Sequence, residues 1–373
     1  MMKRVLQIMG GLKRGGLETF AMNTYRAIDR NELQFDFLLT QVAGGGYEEE
    51  ARMLGANIYY TPSRNKGYIA YRKALDDFFR EHHDYIAVHL HISSLTAITP
   101  AYYAKKYGIP VRILHSHSSS IQKSLRLHWL HTILHYINKP NVKRWATHYL
   151  GCSDKALDWA YKYTGIRSKA IMMNNGIDCS KYAYDETIRS DVRKELGFGA
   201  DDFVIGHVGR FIPLKNQSFL VDILEEIRKS VPAAKLILVG EGETMESVKA
   251  KAEEKGLSSE VIFTGVRSDV NRLMQAMDVL VMPSWFEGLP VSLVEAQAAG
   301  LPIVASDTIS RDSDISGTVL FKNIKEPASS WAKCILNWQK KWHRPNNIEK
   351  IKASGFDSSE TAKQLVQIYT GNA

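Results

Sequence analysis

Cysteine is scarce in this chain: three in 373 residues, at Cys152, Cys179 and Cys334. Their separations match neither a zinc site nor a disulfide framework, so a reducing compartment is the expectation. Long apolar runs are missing too, and nothing approaches the roughly 20 residues that cross a bilayer. The start, Met1-Met2-Lys3-Arg4 and then Val5 to Met9, is basic then apolar. That run contains Gln7 and meets glycines at once, so it is too short for a signal peptide and reads as a buried strand. Tandem repeats and low-complexity segments are also absent. What is left is a cytoplasmic globular protein of ordinary composition, 45% hydrophobic and 24% charged, long enough for two domains.

Charge is unevenly placed. Residues 1–178 hold 24 Lys+Arg against 14 Asp+Glu, a balance of +10, and the remaining 24 and 26 give −2. Ten of the twelve histidines also lie in the first half. A basic half beside a near-neutral one suggests different partners, and anionic lipid, a lipid diphosphate or a nucleic acid would each suit it. Nucleic acid fits worst, because aromatic residues are not interleaved with the basic ones along a groove strand.

Strand-like runs alternate with helical patterns throughout. In the first half they are 5–9, 35–39, 57–60, 85–90, 112–115, 149–151 and 170–173, with helical spacing over 17–28, 68–81 and 94–107. The polar stretch from Asn174 to about Asp202 breaks the pattern and reads as a linker. Alternation resumes at 203–208, 235–240, 261–264, 279–282 and 303–305. Each set predicts a doubly wound parallel sheet, hence an α/β chain of two Rossmann-like domains, 1–178 and 179–373, with a cleft between them. The last helix is free to cross back to the first domain.

Ligands of such sheets bind at the carboxyl ends of the strands, so the loops there carry the chemistry. Glu287-Gly288-Leu289-Pro290 and Glu295 follow the apolar run Val279–Met282. Pro290 suits the first turn of a helix, placing Glu287 in the loop and Glu295 about a turn and a half in. The helix start suits a phosphate, and the two acids suit sugar or ribose hydroxyls. Gly209-Arg210 and Lys215-Asn216 follow strand 203–208, where Arg210 offers a fork and Lys215 a point charge to a diphosphate. Gly240-Glu241-Gly242-Glu243 ends the next strand, with Glu241 either an exposed turn acid or a sugar contact. In the first half, Gly10-Gly11-Leu12-Lys13-Arg14-Gly15-Gly16 ends the first strand. It has neither the G-x-G-x-x-G spacing nor a following Gly-Lys-Ser/Thr, so it is no dinucleotide fingerprint and no P-loop. It reads as an anion-contacting loop or as a turn that needs φ > 0.

Histidines and acids elsewhere need sorting. His115 and His117 end a strand, and either could contact a transferred sugar or take part in proton traffic. His89 and His91 read as cleft wall. Asp312-Ser313-Asp314 has a metal-binding D-x-D form but lacks a third ligand nearby and reads as a solvent-exposed loop. His128, His131 and His135 have helical spacing within 121–145, among Trp129, Leu130, Ile133, Tyr136, Lys123, Arg126, Lys139, Lys143 and Arg144. That composition fits a basic amphipathic helix at a membrane surface or, equally, a domain helix with a solvated rim.

Taken in order, the glycine-rich first loop, Asn174-Asn175-Gly176-Ile177-Asp178, Gly209-Arg210 with Lys215-Asn216, and Glu287 with Glu295 resemble the retaining nucleotide-sugar glycosyltransferases of family 4. These have the GT-B fold. His115-Ser116-His117 and the basic segment after it are most similar to the capsular and exopolysaccharide branch. The resemblance spans Gly10 to Gly300. It implies that Glu295 accepts from ribose hydroxyls, that Glu287 holds the donor sugar, and that Arg210 and Lys215 neutralise the diphosphate. It further implies that Gly11 and Gly16 approach the diphosphate, that Val266 and Arg267 contact the base through backbone, and that Gly288, Leu289 and Pro290 present the helix end. His117 would contact the sugar near its anomeric carbon. The Asp312–Gly317 loop departs from the family's usual acid-and-glycine segment.

The resemblance implies sugar transfer from a nucleotide donor, expected to be a UDP-sugar, to a hydroxyl of a glycan or polyprenyl-diphosphate-linked oligosaccharide. Retention of configuration, no metal and no other cofactor are implied by the resemblance. Peripheral attachment to the inner face of the membrane is an open expectation. An inactive scaffold subunit of the same fold and a sugar-nucleotide epimerase stay as alternatives.

Overall fold

A computed structural model describes residues 2–41, 46–64, 67–121, 128–340 and 342–371. The chain forms two compact units: Met1–Gly176 with Asp357–Ala373, and Ile177–Phe356. Each is built on its own parallel sheet.

The first sheet has seven strands: β1 (Lys3–Met9), β2 (Leu33–Leu39), β3 (Ile58–Tyr60), β4 (Ala87–Ile92), β5 (Val111–Ser116), β6 (His148–Gly151) and β7 (Ile171–Met172). Their spatial order is β3-β2-β1-β4-β5-β6-β7, so the direction of winding reverses between β1 and β4. Both faces are covered, which is why these strands read as apolar runs and not as alternating ones. Alternate side chains still part company. Leu6, Ile8, Val88, Leu90 and Leu114 enter one core. Val5, Met9, Ala87 and Ile113 enter the other, under helix Gly16–Ala27 and the final helix Ser358–Thr370. Gln7, His89, His91 and His115 fall on that second face by the same two-residue period.

The second sheet has six strands: β8 (Phe203–Val208), β9 (Ala234–Val239), β10 (Val261–Gly265), β11 (Val279–Met282), β12 (Ile303–Ser306) and β13 (Val319–Lys322). The order β10-β9-β8-β11-β12-β13 reverses between β8 and β11.

Several local expectations need correction. The stretch 174–202 is no linker. From Ile177 onward it belongs to the second unit, where Ile177, Cys179, Tyr182, Val192 and Phe198 enter the core and Glu186–Glu195 is helical. Polar residues on the outer face of that helix masked the buried ones. The true crossing is tight: a Cβ on Gly176 would sit 2.9 Å from Ser358 Cα, so only glycine lets the returning chain pass. Strand β13 was missed because only Val319, Leu320 and Phe321 signal it behind a polar loop.

The segment 121–145 is not one helix. Residues 122–127, including Lys123 and Arg126, lie outside the described residues. After them come His128–Ile137 and Lys139–Trp145, parted at Asn138, with Pro140 in the first turn of the second helix. Lys139 is not a solvated cation but is buried, donating to the carbonyls of Trp159 and Lys162.

Candidate active site

In the second unit the loops after β8 and β11 flank the point where the sheet reverses. They are tied to one another. Trp285 N donates to Leu214 O at 2.8 Å, and Asn216 Nδ2 donates to Pro283 O at 3.2 Å. Asn216 itself takes the left-handed conformation, φ +56°, which asparagine tolerates better than most residues. The same juncture brings Lys215 Nζ and Glu287 Oε1 into an ion pair, with both side chains about one-sixth exposed. Roles assigned separately to these two residues therefore belong to one unit: the cation is already oriented by the acid.

Arg210 lies in the same loop as Lys215, five residues before it, and is exposed. Its backbone is held, since Gln217 Nε2 donates to Arg210 O and Phe211 N to Glu241 O. Among the described residues its guanidinium has no carboxylate partner. Gly240 and Gly242 have φ of +132° and +155°, and a Cβ on them would stand 2.3 Å from Gly209 O and 2.1 Å from Phe211 O. These glycines are required by backbone contact, and they press the Glu241 turn onto the Arg210 loop. Glu241 reaches toward Gly265 at the end of β10, where Oε1 would lie 3.2 Å from an added Cβ.

Val266 follows, 47% exposed. Arg267 is occupied through its side chain, which donates to Asp269 and Glu195, leaving only its backbone for the contact expected of it.

Glu287 lies in the loop, where its backbone forms a single parallel bridge with Ile309. The helix runs Val291–Ala298 with Pro290 at the cap position, one residue earlier than expected, so Glu295 comes little more than one turn in. Leu289 packs against the core, and Gly288 has nothing within 4 Å of a notional Cβ. Glu295 accepts a hydrogen bond from Tyr182 at 2.7 Å. Burial raises its carboxyl pKa and the tyrosine hydroxyl opposes that shift. Sequence reasoning missed Tyr182, far away along the chain, and also Trp285 and Phe286, whose rings are about half exposed beside Glu287.

Of Asp312-Ser313-Asp314, Asp312 is exposed as expected, but Ser313 is buried and Asp314 is partly buried. Asp314 Oδ1 accepts from the backbone N–H groups of Gly317, Thr318 and Val319, which shapes the turn into β13. Asp312 accepts from the Ser310 hydroxyl.

In the first unit the glycine-rich loop leaves β1 and opens helix Gly16–Ala27 with Gly15 at its cap. None of Gly10, Gly11, Gly15 and Gly16 has positive φ, so this turn does not need glycine for its conformation. Around Gly10 there is open space, and Gly11 and Gly16 meet only ordinary contacts at 3.5 and 3.9 Å. Gly10 and Gly16 are exposed and leave their backbone approachable, whereas Gly11 and Leu12 are buried.

His89 and His91 are not cleft wall but interior groups. His91 Nδ1 lies 2.9 Å from His117 Nε2, and His89 Nε2 lies 3.2 Å from His115 Nδ1. His115 is fully buried, whereas His117 is only half-buried at the sheet's end. Phe20 makes T-shaped contacts with all four rings. His135, of the helical triplet, is spent on Leu95 N and Trp159 O and stacks on Trp159.

Burial holds these imidazoles neutral. It pushes His117 down to about 3 and His135 to about 4, and holds His89, His91 and His115 well below the ordinary value. The unfolded chain takes up protons below its pKa of about 6.5 while the folded one does not. Stability is therefore fully present above pH 6.5 and falls as pH drops toward 4. Each such histidine adds about 1.4 kcal/mol per pH unit to the decline. Chemical denaturation at pH 7, 6 and 5 should show a steepening loss, and a constant midpoint across that range would contradict the neutral cluster.

Comparison with known proteins agrees with this architecture. Residues 14–181 match Glycosyltransferase Family 4, and residues 202–338 match Glycosyl transferases group 1. A Bacillus subtilis (strain 168) protein named as a glycosyltransferase, EpsF, is 32% identical over 372 residues, covering 98% of this chain and 96% of its own. The capsular polysaccharide biosynthesis glycosyltransferase CapH of Staphylococcus aureus is 24% identical and covers 99% of both chains. Among solved structures, HepE of Anabaena in complex with UDP superposes with a TM-score of 0.76 at 20% identity, over 99% of this chain and 100% of that one. This chain belongs to the glycosyltransferases of family 4 and has their GT-B architecture of two Rossmann-like units.

Proposed function

We propose that this glycosyltransferase moves a sugar from UDP to a hydroxyl of a growing surface polysaccharide, keeping the anomeric configuration and using no metal. The observation that carries this is the placement at the β8/β11 reversal of Arg210, exposed and without a carboxylate partner among the described residues, of the Lys215–Glu287 pair and of the Tyr182-oriented Glu295. Cations suit a diphosphate leaving group, and oriented carboxylates suit hydroxyls. Asp314 is engaged with three backbone N–H groups, which argues against a D-x-D metal site. The UDP bound by HepE and the capsular role in CapH's name support the donor and the product class.

In this scheme the acceptor oxygen bonds to the anomeric carbon as the bond from that carbon to the β-phosphate oxygen breaks. The electron pair leaves with UDP, stabilised by Arg210 and Lys215. The hydroxyl proton passes to the departing phosphate oxygen on the same face. Glu287 holds sugar hydroxyls and forms no covalent bond. Backbone at Val266-Arg267 contacts the base, Glu241 reaches the sugar, and Gly288-Leu289-Pro290 present the helix start. Gly11, Gly16 and His117 of the first unit keep the diphosphate and sugar roles that the family resemblance gives them. The deciding assay supplies a panel of UDP-sugars and lipid-linked glycans, then reads the new linkage by NMR. An inverted product, or a sugar trapped on Glu287, would refute the mechanism.

A lipid-linked acceptor also fits the surface of the first unit. Trp129, Leu130, Ile133, Tyr136 and Ile137 are exposed on one face of helix His128–Ile137, from 37% for Leu130 to 62% for Ile137. No acidic residue occurs between Asp84 and Asp154. No helix of the described residues is long and apolar enough to cross a membrane. An in-plane contact with anionic lipid follows from such a face. The double substitution Trp129→Glu with Ile133→Glu should lower cosedimentation with anionic vesicles by at least about tenfold, since burying each side chain is worth about 1.5–3 kcal/mol. Unchanged partitioning would remove this contact from the account.

A further inference from the structure

Behind His117, one amide joins two hydrogen-bonded pairs of imidazoles. Gln7 is 1% exposed on β1, in register with His89, and His91 is in register with His115. Gln7 Oε1 lies 2.8 Å from His91 Nε2, and Gln7 Nε2 donates to the Tyr369 hydroxyl at 3.3 Å. That hydroxyl lies 2.6 Å from His89 Nδ1. Among the described residues, His115 Nε2 and His117 Nδ1 are buried without a partner.

The grouping resembles a metal cage, because nitrogens of His89, His91 and His115 lie within 4.8 Å of one another. Ring geometry points elsewhere. His89 and His115 are nearly coplanar, 8° apart, as an edge-to-edge hydrogen bond requires. His89 stacks on His91 at 4.2 Å, and His115 on His117 at 4.0 Å. Lone pairs of stacked rings run side by side, whereas a metal needs them to converge. This is a two-by-two block of hydrogen-bonded rings.

We infer that Gln7 is a positioning residue that sets one common tautomer on all four histidines, leaving His117 with a proton on Nε2 and a bare Nδ1. The proton inventory is closed. An amide oxygen only accepts, so His91 carries its proton on Nε2 and offers Nδ1 as acceptor. His117 must then donate through Nε2, and its Nδ1 is a lone pair. On the other branch the Tyr369 oxygen accepts the amide N–H, and among the described residues His89 Nδ1 is the one acceptor recorded for the buried tyrosine O–H, which is therefore directed there. His89 then donates from Nε2 to His115 Nδ1, which leaves His115 with Nε2–H. Turning the amide over would reverse every assignment together. Desolvation keeps all four imidazoles neutral, the half-buried His117 included, and so permits a single proton on each.

The chemical consequence rests on the proposed sugar transfer: with Nε2–H given to His91, His117 has no N–H left to donate to phosphate, and its Nδ1, covered here, is a hydrogen-bond acceptor for a sugar hydroxyl once uncovered. The tautomer itself does not depend on that reading. The test is a long-range proton–nitrogen correlation spectrum of the full chain labelled with 15N-histidine, with His117 assigned by its absence in His117→Gln. All four imidazoles should show protonated Nε2 and bare Nδ1. A mixed set, or Nδ1–H on His117, overturns the inference.

Gln7→Met should uncouple the two branches, so that the four rings no longer share one tautomer, and lower kcat at least about tenfold with KM little changed. A fully retained pattern in that variant also overturns it. If Gln7→Met does not fold, the wild-type spectrum still decides, because two independent branches have no reason to agree. A wild-type protein with the uniform tautomer but no transferase activity would sink the proposed function and leave this assignment standing.

Discussion

Arg210→Ala lowers kcat/KM for sugar transfer by about 100- to 1,000-fold, the loss typical when one preorganised charge is taken from a transition state. The size follows from where the guanidinium stands. Its loop is fixed by Gln217 and by the Phe211–Glu241 backbone bond, while the side chain itself is exposed and carries no ion pair among the described residues. Removing it costs the fold little, so the melting temperature should hold while activity falls. Lys215→Ala is a different experiment. It strands the partly buried Glu287 carboxylate without its cation, and therefore lowers both stability and activity. Steady-state kinetics with melting curves on both variants separates the cases. An Arg210→Ala enzyme within twofold of wild type would place the diphosphate elsewhere.

Gly240→Ala has the second large effect, and it acts through the fold. With φ at +132° and a Cβ only 2.3 Å from Gly209 O, the new methyl meets main chain, which cannot rotate away. Relief would require breaking Gly209 N to Val239 O or Gly240 N to Gly265 O. A backbone in this region costs a non-glycine residue about 1–3 kcal/mol before any clash. At roughly 3 kcal/mol in all, melting of the second unit should fall by about 6–12 °C. Nucleotide binding should weaken with it, because the displaced turn carries Glu241 and backs the Arg210 loop. Gly288→Ala is the control. Open space surrounds that position, so stability should stay within about 0.5 kcal/mol of wild type. Equal melting of Gly240→Ala and wild type would show that the turn is not held as described.

The two sheets were readable because buried parallel strands are short apolar runs between helical patterns, and that signal is local. The loops at their carboxyl ends could be named for the same reason. What escaped depends on pairing across the chain. Nothing near Glu287 in sequence says that Lys215 faces it, and nothing near Glu295 points to Tyr182. Gln7 looked like a flaw in an apolar strand, yet it is the hub between two histidine pairs that period-two alternation brings to one face. Cys179 and Tyr182 lay in a stretch polar enough to pass for a linker, because the helix after them exposes most of its surface. Glycine was legible as a turn residue but not in its purpose. At Gly240 it answers a clash, while at Gly16 it leaves backbone open.

The most direct test of the central claim, that the second unit grips a nucleoside diphosphate at the β8/β11 reversal, is a thermal shift with UDP, GDP and ADP. It is run on wild type and Glu295→Ala in parallel. At about 100 times the dissociation constant, a bound nucleotide should stabilise the protein by roughly 2.7 kcal/mol. The account predicts a shift with UDP that disappears in Glu295→Ala. No shift with any of the three, or an equal shift in the variant, would contradict it.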